Sequence, residues 1–222
     1  MKNYATPSAP GYNVCRTEKG RILIANDMQK TYQSGVGMLS YLVKHSRPDL
    51  ANSVRELSKV LDGATQDNYK ELLRVIKFTI VTEKKGLRMQ PRNEKKWYLS
   101  AMSDSDYAGD NDTRISVTGF VIYFMGIPIC WRSKAQRAVT LSSTEAEYVA
   151  CSEVVKGIKF ILYILQSLEI KVNLPEQVHI DDVGAIFLAE NSNSGDQMKH
   201  VDIRYHFVRE VIEDGIVSIV FV

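Results

Sequence analysis

Three carboxylates stand where the local pattern otherwise asks for apolar or turn residues: Asp104, Glu147 and Asp181. Glu147 is singled out by periodicity. At helical spacing it shares a stripe with Cys151, Val154, Ile158, Ile161, Leu165 and Leu168, and it is the only charge on that stripe. Its neighbour Glu145 falls on the face of Ser152 and Lys156, as a first-turn acid near the positive end of the helix dipole. A lone charge on an apolar stripe is costly unless it is paired or metal-bound, so a salt bridge to Lys or Arg is the competing reading. Asp104 lies at the end of a predicted strand, in Ser103-Asp104-Ser105-Asp106, where a hairpin turn is the alternative. Asp181 follows Val178-His179-Ile180, where a helix cap is the alternative, and Asp182 would point away. If both aspartates end neighbouring strands, they converge with Glu147 at the edge where such sheets present ligands. Clustered carboxylates suit Mg²⁺, with Mn²⁺ as an alternative, because a hard cation prefers oxygen ligands. Two such ions can clamp the attacking water and the leaving oxygen in phosphodiester cleavage. No Ser-His-Asp set, Gly-rich phosphate loop or His-x-x-x-His pattern competes.

The elements that must hold these acids follow from patterning. Residues 1–31, with Pro7, Pro10, Gly11 and Gly20, read as an irregular lead-in with a short strand at Ile22–Ala25. From Tyr32 the spacing becomes helical, with Val36, Leu39 and Leu42 on one face. Pro48 opens a second helix, carrying Leu50, Val54, Leu57 and Leu61 and ended by Gly63. Tyr69, Leu72, Leu73, Ile76 and Ile80 mark a third, so 32–94 is expected to be a helical segment. Strands are predicted at Trp97–Met102, Val117–Phe124, Ile127–Arg132 and Ala138–Leu141. A long helix at Ser143–Leu168 follows, then a strand at Val178–Ile180, helices at Ala185–Glu190 and Val201–Asp214, and a strand at Ile216–Val222. This order predicts an α/β fold, a mixed sheet flanked by helices.

Composition excludes several classes. The chain has 222 residues, 45% hydrophobic and 24% charged, which rules out global disorder, a collagen-like chain and a disulfide scaffold. Lys and Arg number 28 against 26 Asp and Glu, so nucleic-acid binding needs a local basic surface rather than overall charge. Cys15, Cys130 and Cys151 form no Cys-x-x-Cys. The longest apolar stretch, Val117–Trp131, is broken by Gly119, Gly126 and Pro128 and reads as two strands and a turn, not a membrane span. Met1–Pro10 lacks the apolar core of a signal peptide. The basic surface is sought at Lys199, His200, Arg204, His206 and Arg209, which could hold a nucleic-acid backbone. A solvated helix face is the alternative, since Asp202, Glu210 and Glu213 interleave. Lys134 and Arg137 are weaker candidates.

Several of these segments resemble one family. Ser103-Asp104-Ser105-Asp106-Tyr107-Ala108-Gly109-Asp110 and Val117-Thr118-Gly119-Phe120 resemble the first ribonuclease H motif of copia-type LTR retrotransposon Pol polyproteins. Leu141-Ser142-Ser143-Thr144-Glu145-Ala146-Glu147-Tyr148-Val149-Ala150 is the most specific match. His179-Ile180-Asp181-Asp182-Val183-Gly184-Ala185-Ile186 resembles the third motif, and residues 199–210 the basic helix that follows. Gly35–Leu42 and Ser46–Leu50 look like the segment between the polymerase core and ribonuclease H.

The resemblance implies a ribonuclease H-like domain at 95–222, preceded by a reverse-transcriptase thumb- or connection-like segment at 32–94. It implies two-metal-ion hydrolysis of the RNA strand of RNA–DNA hybrids, with Asp104, Glu147 and Asp181 as metal-binding acids. It also implies the rest of the Pol polyprotein, including its polymerase core, as a partner, no membrane, and residence in cytoplasmic virus-like particles. Two departures stand out. The family's third motif reads Asp-Asn, whereas Asp182 follows Asp181 here. The family also carries a fourth acid in an Ala-Asp motif past the final strand, whereas this chain stops at Val222, so the domain is expected to be truncated there. A catalytically dead or domesticated remnant that only binds nucleic acid is the first alternative. An integrase- or transposase-type nuclease is the second, disfavoured because that class ends its acid order on Glu.

Overall fold

The structure, a computed structural model, describes residues 5–17, 20–93, 96–190 and 202–222. It divides into two compact units: Met1–Leu87 with Asp110–Arg114, and Arg88–Gly109 with Ile115–Val222.

The first unit is helical. It contains α1 (Asn26–His45), a 3₁₀ turn at Pro48–Leu50, α2 (Ala51–Ser58) and α3 (Gln66–Val81). Tyr32, Val36, Leu39, Leu50, Leu57 and Val75 form its core. α1 starts six residues before the expected Tyr32, with Asp27 in its first turn. The expected strand at Ile22–Ala25 reduces to a single bridge between Leu23 and Thr65. Leu61 lies past the end of α2 and is exposed, because that helix stops at Ser58. On α3, Phe78 rather than Ile80 completes the buried stripe. Thr65 and Asn68 close a reciprocal cap at the start of α3.

The second unit is the expected mixed sheet flanked by helices. Its elements are β1 (Leu99–Asp106), β2 (Val117–Phe124), β3 (Ile127–Ala135), α4 (Ser143–Ser167), β4 (Glu176–Ile180), α5 (Val183–Glu190), α6 (Asp202–Glu213) and β5 (Val217–Phe221). The sheet order is β3-β2-β1-β4-β5. β1 pairs antiparallel with β2, and β2 with β3, while β1–β4 and β4–β5 are parallel. Two strand predictions are corrected. β1 runs through Asp106, so Ser103-Asp104-Ser105-Asp106 is strand and not a turn; all eight of its residues pair with β2. Ala138–Leu141 is not a strand, because β3 ends at Ala135 and Ser142 caps α4.

α4 lies on the sheet through the predicted stripe. Cys151, Val154, Ile158 and Leu165 are buried there with Leu99, Ala101, Ile122 and Val178. Leu168 falls past the helix end and is exposed. Each large aliphatic side chain buried in this way contributes roughly 1.5–3 kcal/mol. Gly157 allows the close approach, since a Cβ there would come 2.7 Å from Ile122 Cδ1. Among the described residues no helix is long and apolar enough to cross a membrane.

Candidate metal centre

The sheet register sets the first two acids. Met102 on β1 stands beside His179 on parallel β4, so two residues further on Asp104 reaches the level of Asp181, just past the end of β4. Both carboxylates therefore lie at the C-terminal end of parallel strands, where a sheet leaves a crevice open to ligands. α4 supplies the third. Ser142 Oγ accepts the Glu145 N–H at 3.1 Å, and Glu145 Oε2 accepts the Leu141 N–H at 2.6 Å, which fixes where the helix begins. Glu145 is itself buried, satisfied by that backbone contact rather than facing solvent. Two residues on, Glu147 points at the sheet. One ligand oxygen from each of Asp104, Glu147 and Asp181 lies within 4.8 Å of the other two.

The setting of Glu147 distinguishes it. It is 5% exposed, and its donors are not a Lys or Arg but the Ser105 N–H and Oγ–H, both 2.7 Å from Oε1. Its other oxygen, Oε2, is buried with no hydrogen-bond partner. Burial pushes the carboxyl up to about 7; the Ser105 bonds oppose the shift, and the charges of Asp104 and Asp181 add to it. Asp104 is raised as well, first by burial and then by Asp181. Three converging acids, one of them buried with an unsatisfied oxygen, must bind a proton or a cation. An all-oxygen donor set of this kind fits a hard divalent ion.

The neighbouring acids have other work. Asp182, not Asp181, caps α5: its Oδ1 accepts the Ala185 N–H at 2.7 Å, and its carboxylate also accepts from Thr144 Oγ1. The side chain of Asp106 lies against Gly109, in the space that a Cβ there would fill.

The proposed basic surface divides. Lys199 and His200 lie outside the described residues. On α6, Arg209 donates to the Leu188 carbonyl from Nε and Nη2, tying α6 to the end of α5, while His206 is exposed. Arg204 is half-buried and lines a cavity with side chains of β3 and α4. Ser105 was not singled out by sequence reasoning; its inward position on a strand was hidden by the turn-like composition around it.

The chain is 36% identical over 191 residues to the retrovirus-related Pol polyprotein from transposon RE2 of Arabidopsis thaliana, covering 86% of this chain and 13% of that protein. It is 33% identical over 224 residues to the retrovirus-related Pol polyprotein from transposon TNT 1-94 of Nicotiana tabacum, covering 96% of this chain and 16% of that protein. The chain's homologues are retrovirus-related Pol polyproteins of transposons. It spans less than a fifth of the length of these Pol relatives. No protein-family model matches it. Among solved structures, this chain is similar to a ribonuclease H isolated from compost by a metagenomic approach. The TM-score is 0.39 at 12% identity, covering 56% of this chain and 82% of that one.

Proposed function

We propose that the sheet unit is a ribonuclease H that hydrolyses the RNA strand of RNA–DNA hybrids, using divalent metal held by Asp104, Glu147 and Asp181. The observation that carries this reading is the convergence of three carboxylate oxygens within 4.8 Å at the C-terminal end of β1 and β4, one of them on a buried, unsatisfied side chain. Two bound Mg²⁺ ions would supply the Lewis acidity that polarises the scissile phosphate and activates water. The chain's own residues prepare the place. Asp104 and Asp181, both exposed, face the substrate side, and Glu147 closes the site from within. Ser105 holds Glu147 Oε1 from two donors, which leaves Oε2 as the free ligand atom. Asp182 is occupied by Thr144 and the α5 cap, so it stands beside the metal ligands without joining them. In this reading the helical segment 32–94 is the connection to a polymerase core, and the remainder of Pol is the partner.

The test uses the full chain with a hybrid labelled on its RNA strand. Mg²⁺-dependent cleavage of the RNA, absent without metal and lost in Glu147→Gln, is the expected result. Folded protein that never cleaves in Mg²⁺ or Mn²⁺, or cleavage that survives Glu147→Gln, would overturn the reading.

A further inference from the structure

The three converging acids form a triangle, and each side of it is held by a contact beside the acids. The Asp104–Asp181 side is set by the parallel ladder of β1 and β4. The Asp104–Glu147 side is set by Ser105, next to Asp104, which donates twice to Glu147. The Asp181–Glu147 side spans two elements, the β4–α5 junction and α4, and it has a contact of its own. Thr144 precedes Glu147 by three residues on α4, so the two lie on one side of the helix. Asp182 follows Asp181. Thr144 Oγ1 donates to the Asp182 carboxylate, 3.3 Å from Oδ1 and 3.2 Å from Oδ2.

Asp182 is itself anchored. Its Oδ1 accepts the Ala185 N–H at 2.7 Å, and its carbonyl accepts the Ile186 N–H at 3.2 Å, so side chain and backbone are both fixed to the first turn of α5. An acid at this position, where the resembled motif reads Asn, offers two acceptor oxygens to the cap and to Thr144 together. Gly184 completes the fit. A Cβ there would come 3.0 Å from Asp182 Oδ1 and 3.0 Å from Thr144 Oγ1, so the two groups can meet because residue 184 has no side chain.

A tie is needed at this place. The carboxylate oxygens gather within 4.8 Å, and ionised acids at that range repel. Repulsion between Asp181 and Glu147 drives α4 away from the β4–α5 junction. The first turn of a helix is its least tethered part, because its N–H groups lack intrahelical partners. Thr144 lies in that turn of α4, so its bond to Asp182 resists the separation where the helix would yield first.

We infer that Thr144 and Asp182 are positioning residues: their bond holds Asp181 and Glu147 at the separation that a shared divalent ion requires, and neither residue touches the ion. The inference rests on the reading of Asp104, Glu147 and Asp181 as a metal centre.

The experiment titrates Mg²⁺ calorimetrically into the full chain as wild type, Thr144→Val, Thr144→Ser, Asp182→Ala and Thr144→Val/Asp182→Ala, with urea unfolding followed by tryptophan fluorescence. Valine keeps the shape of threonine, every charge and the α5 cap, and removes only the hydroxyl. Residues that bond a metal ligand directly are worth roughly 10- to 100-fold in affinity. This bond acts through the neighbours of the ligands, so Thr144→Val should weaken Mg²⁺ binding about three- to tenfold with the urea midpoint unchanged. Thr144→Ser restores the hydroxyl and should bind as wild type does. In the Asp182→Ala background Thr144→Val should cost nothing further, because the bond is already gone. Equal Mg²⁺ affinity in wild type and Thr144→Val would overturn the inference. So would a loss that Thr144→Ser shares, or losses that add in the double variant. A wild type that binds no Mg²⁺ would overturn the inference and the metal centre together. A wild type that binds Mg²⁺ and weakens in Thr144→Val, yet never cleaves a hybrid, would sink the hydrolase reading while the positioning role stands.

Discussion

Replacing Glu147 by Gln should make the metal-free protein more stable, by an amount that grows with pH. The carboxyl is 5% exposed and its proton is held up to about 7 in the folded chain, against 4.5 for the free group. Folding therefore favours the neutral form. Below pH 4.5 the group is protonated in both states and costs nothing. As pH rises, the unfolded chain ionises first, and stability falls until the folded carboxyl ionises too. At 1.36 kcal/mol per unit, the cost to wild type is near zero at pH 4, about 1 kcal/mol at pH 5 and about 3 kcal/mol at pH 8. The amide introduced by Glu147→Gln keeps an acceptor for the two Ser105 donors and carries no charge, so the variant escapes the cost. Trp97 and Trp131 are the chain's two tryptophans and both lie in the sheet unit, so urea unfolding followed by fluorescence reports on that unit. The gap between variant and wild type should open from pH 4 to pH 8. Saturating Mg²⁺ should narrow it, because a cation at 100 times its Kd adds about 2.7 kcal/mol to wild type. A gap of constant size across pH, or a variant less stable at pH 8, would refute the claim that this carboxylate is held at a cost for a cation.

Glu176 offers a contrast. It is 1% exposed at the start of β4, accepts the Leu99 N–H at 2.6 Å, and burial pushes it up to about 7. Its contribution is full below pH 4.5 and is lost as pH rises through 7, so Glu176→Gln should add up to about 3 kcal/mol at pH 8 in urea unfolding, with no change in that gain on adding Mg²⁺. Ser105→Ala removes one of the two bonds that orient Glu147, and Mg²⁺ affinity by calorimetry should fall about tenfold or more with the fold intact. Ser142→Ala deletes the cap on the helix that carries Glu147 and should cost about 1 kcal/mol in the same unfolding assay.

Much of the sheet unit was legible because its signals are local. The β-branched and aromatic run at Val117–Phe124 is a strand over the predicted residues, and the helix begins at Ser143 because Ser142 is a cap. Glu147 was legible as a single acid on an apolar stripe. What failed was set by tertiary pairing. Ser103-Asp104-Ser105-Asp106 has turn composition, yet full pairing with β2 makes it strand, as a continuation of residues 100–102 that pair with β4 as well. That error hid Ser105 as the residue that holds Glu147. The assignment of the cap to Asp182 rather than Asp181 turns on one hydrogen bond that spacing does not reveal. The cavity beside Arg204 draws on residues from 132 to 204, and nothing in their separate segments shows that β3, α4 and α6 bring them together.

The most direct measurement is a calorimetric titration of Mg²⁺ into the full chain at pH 8, beside Asp104→Asn, Glu147→Gln and Asp181→Asn. Saturable binding to wild type, weakened in each variant without loss of fold, is the predicted result. Binding that is absent, or that all three variants retain unchanged, would contradict a metal centre at these three carboxylates.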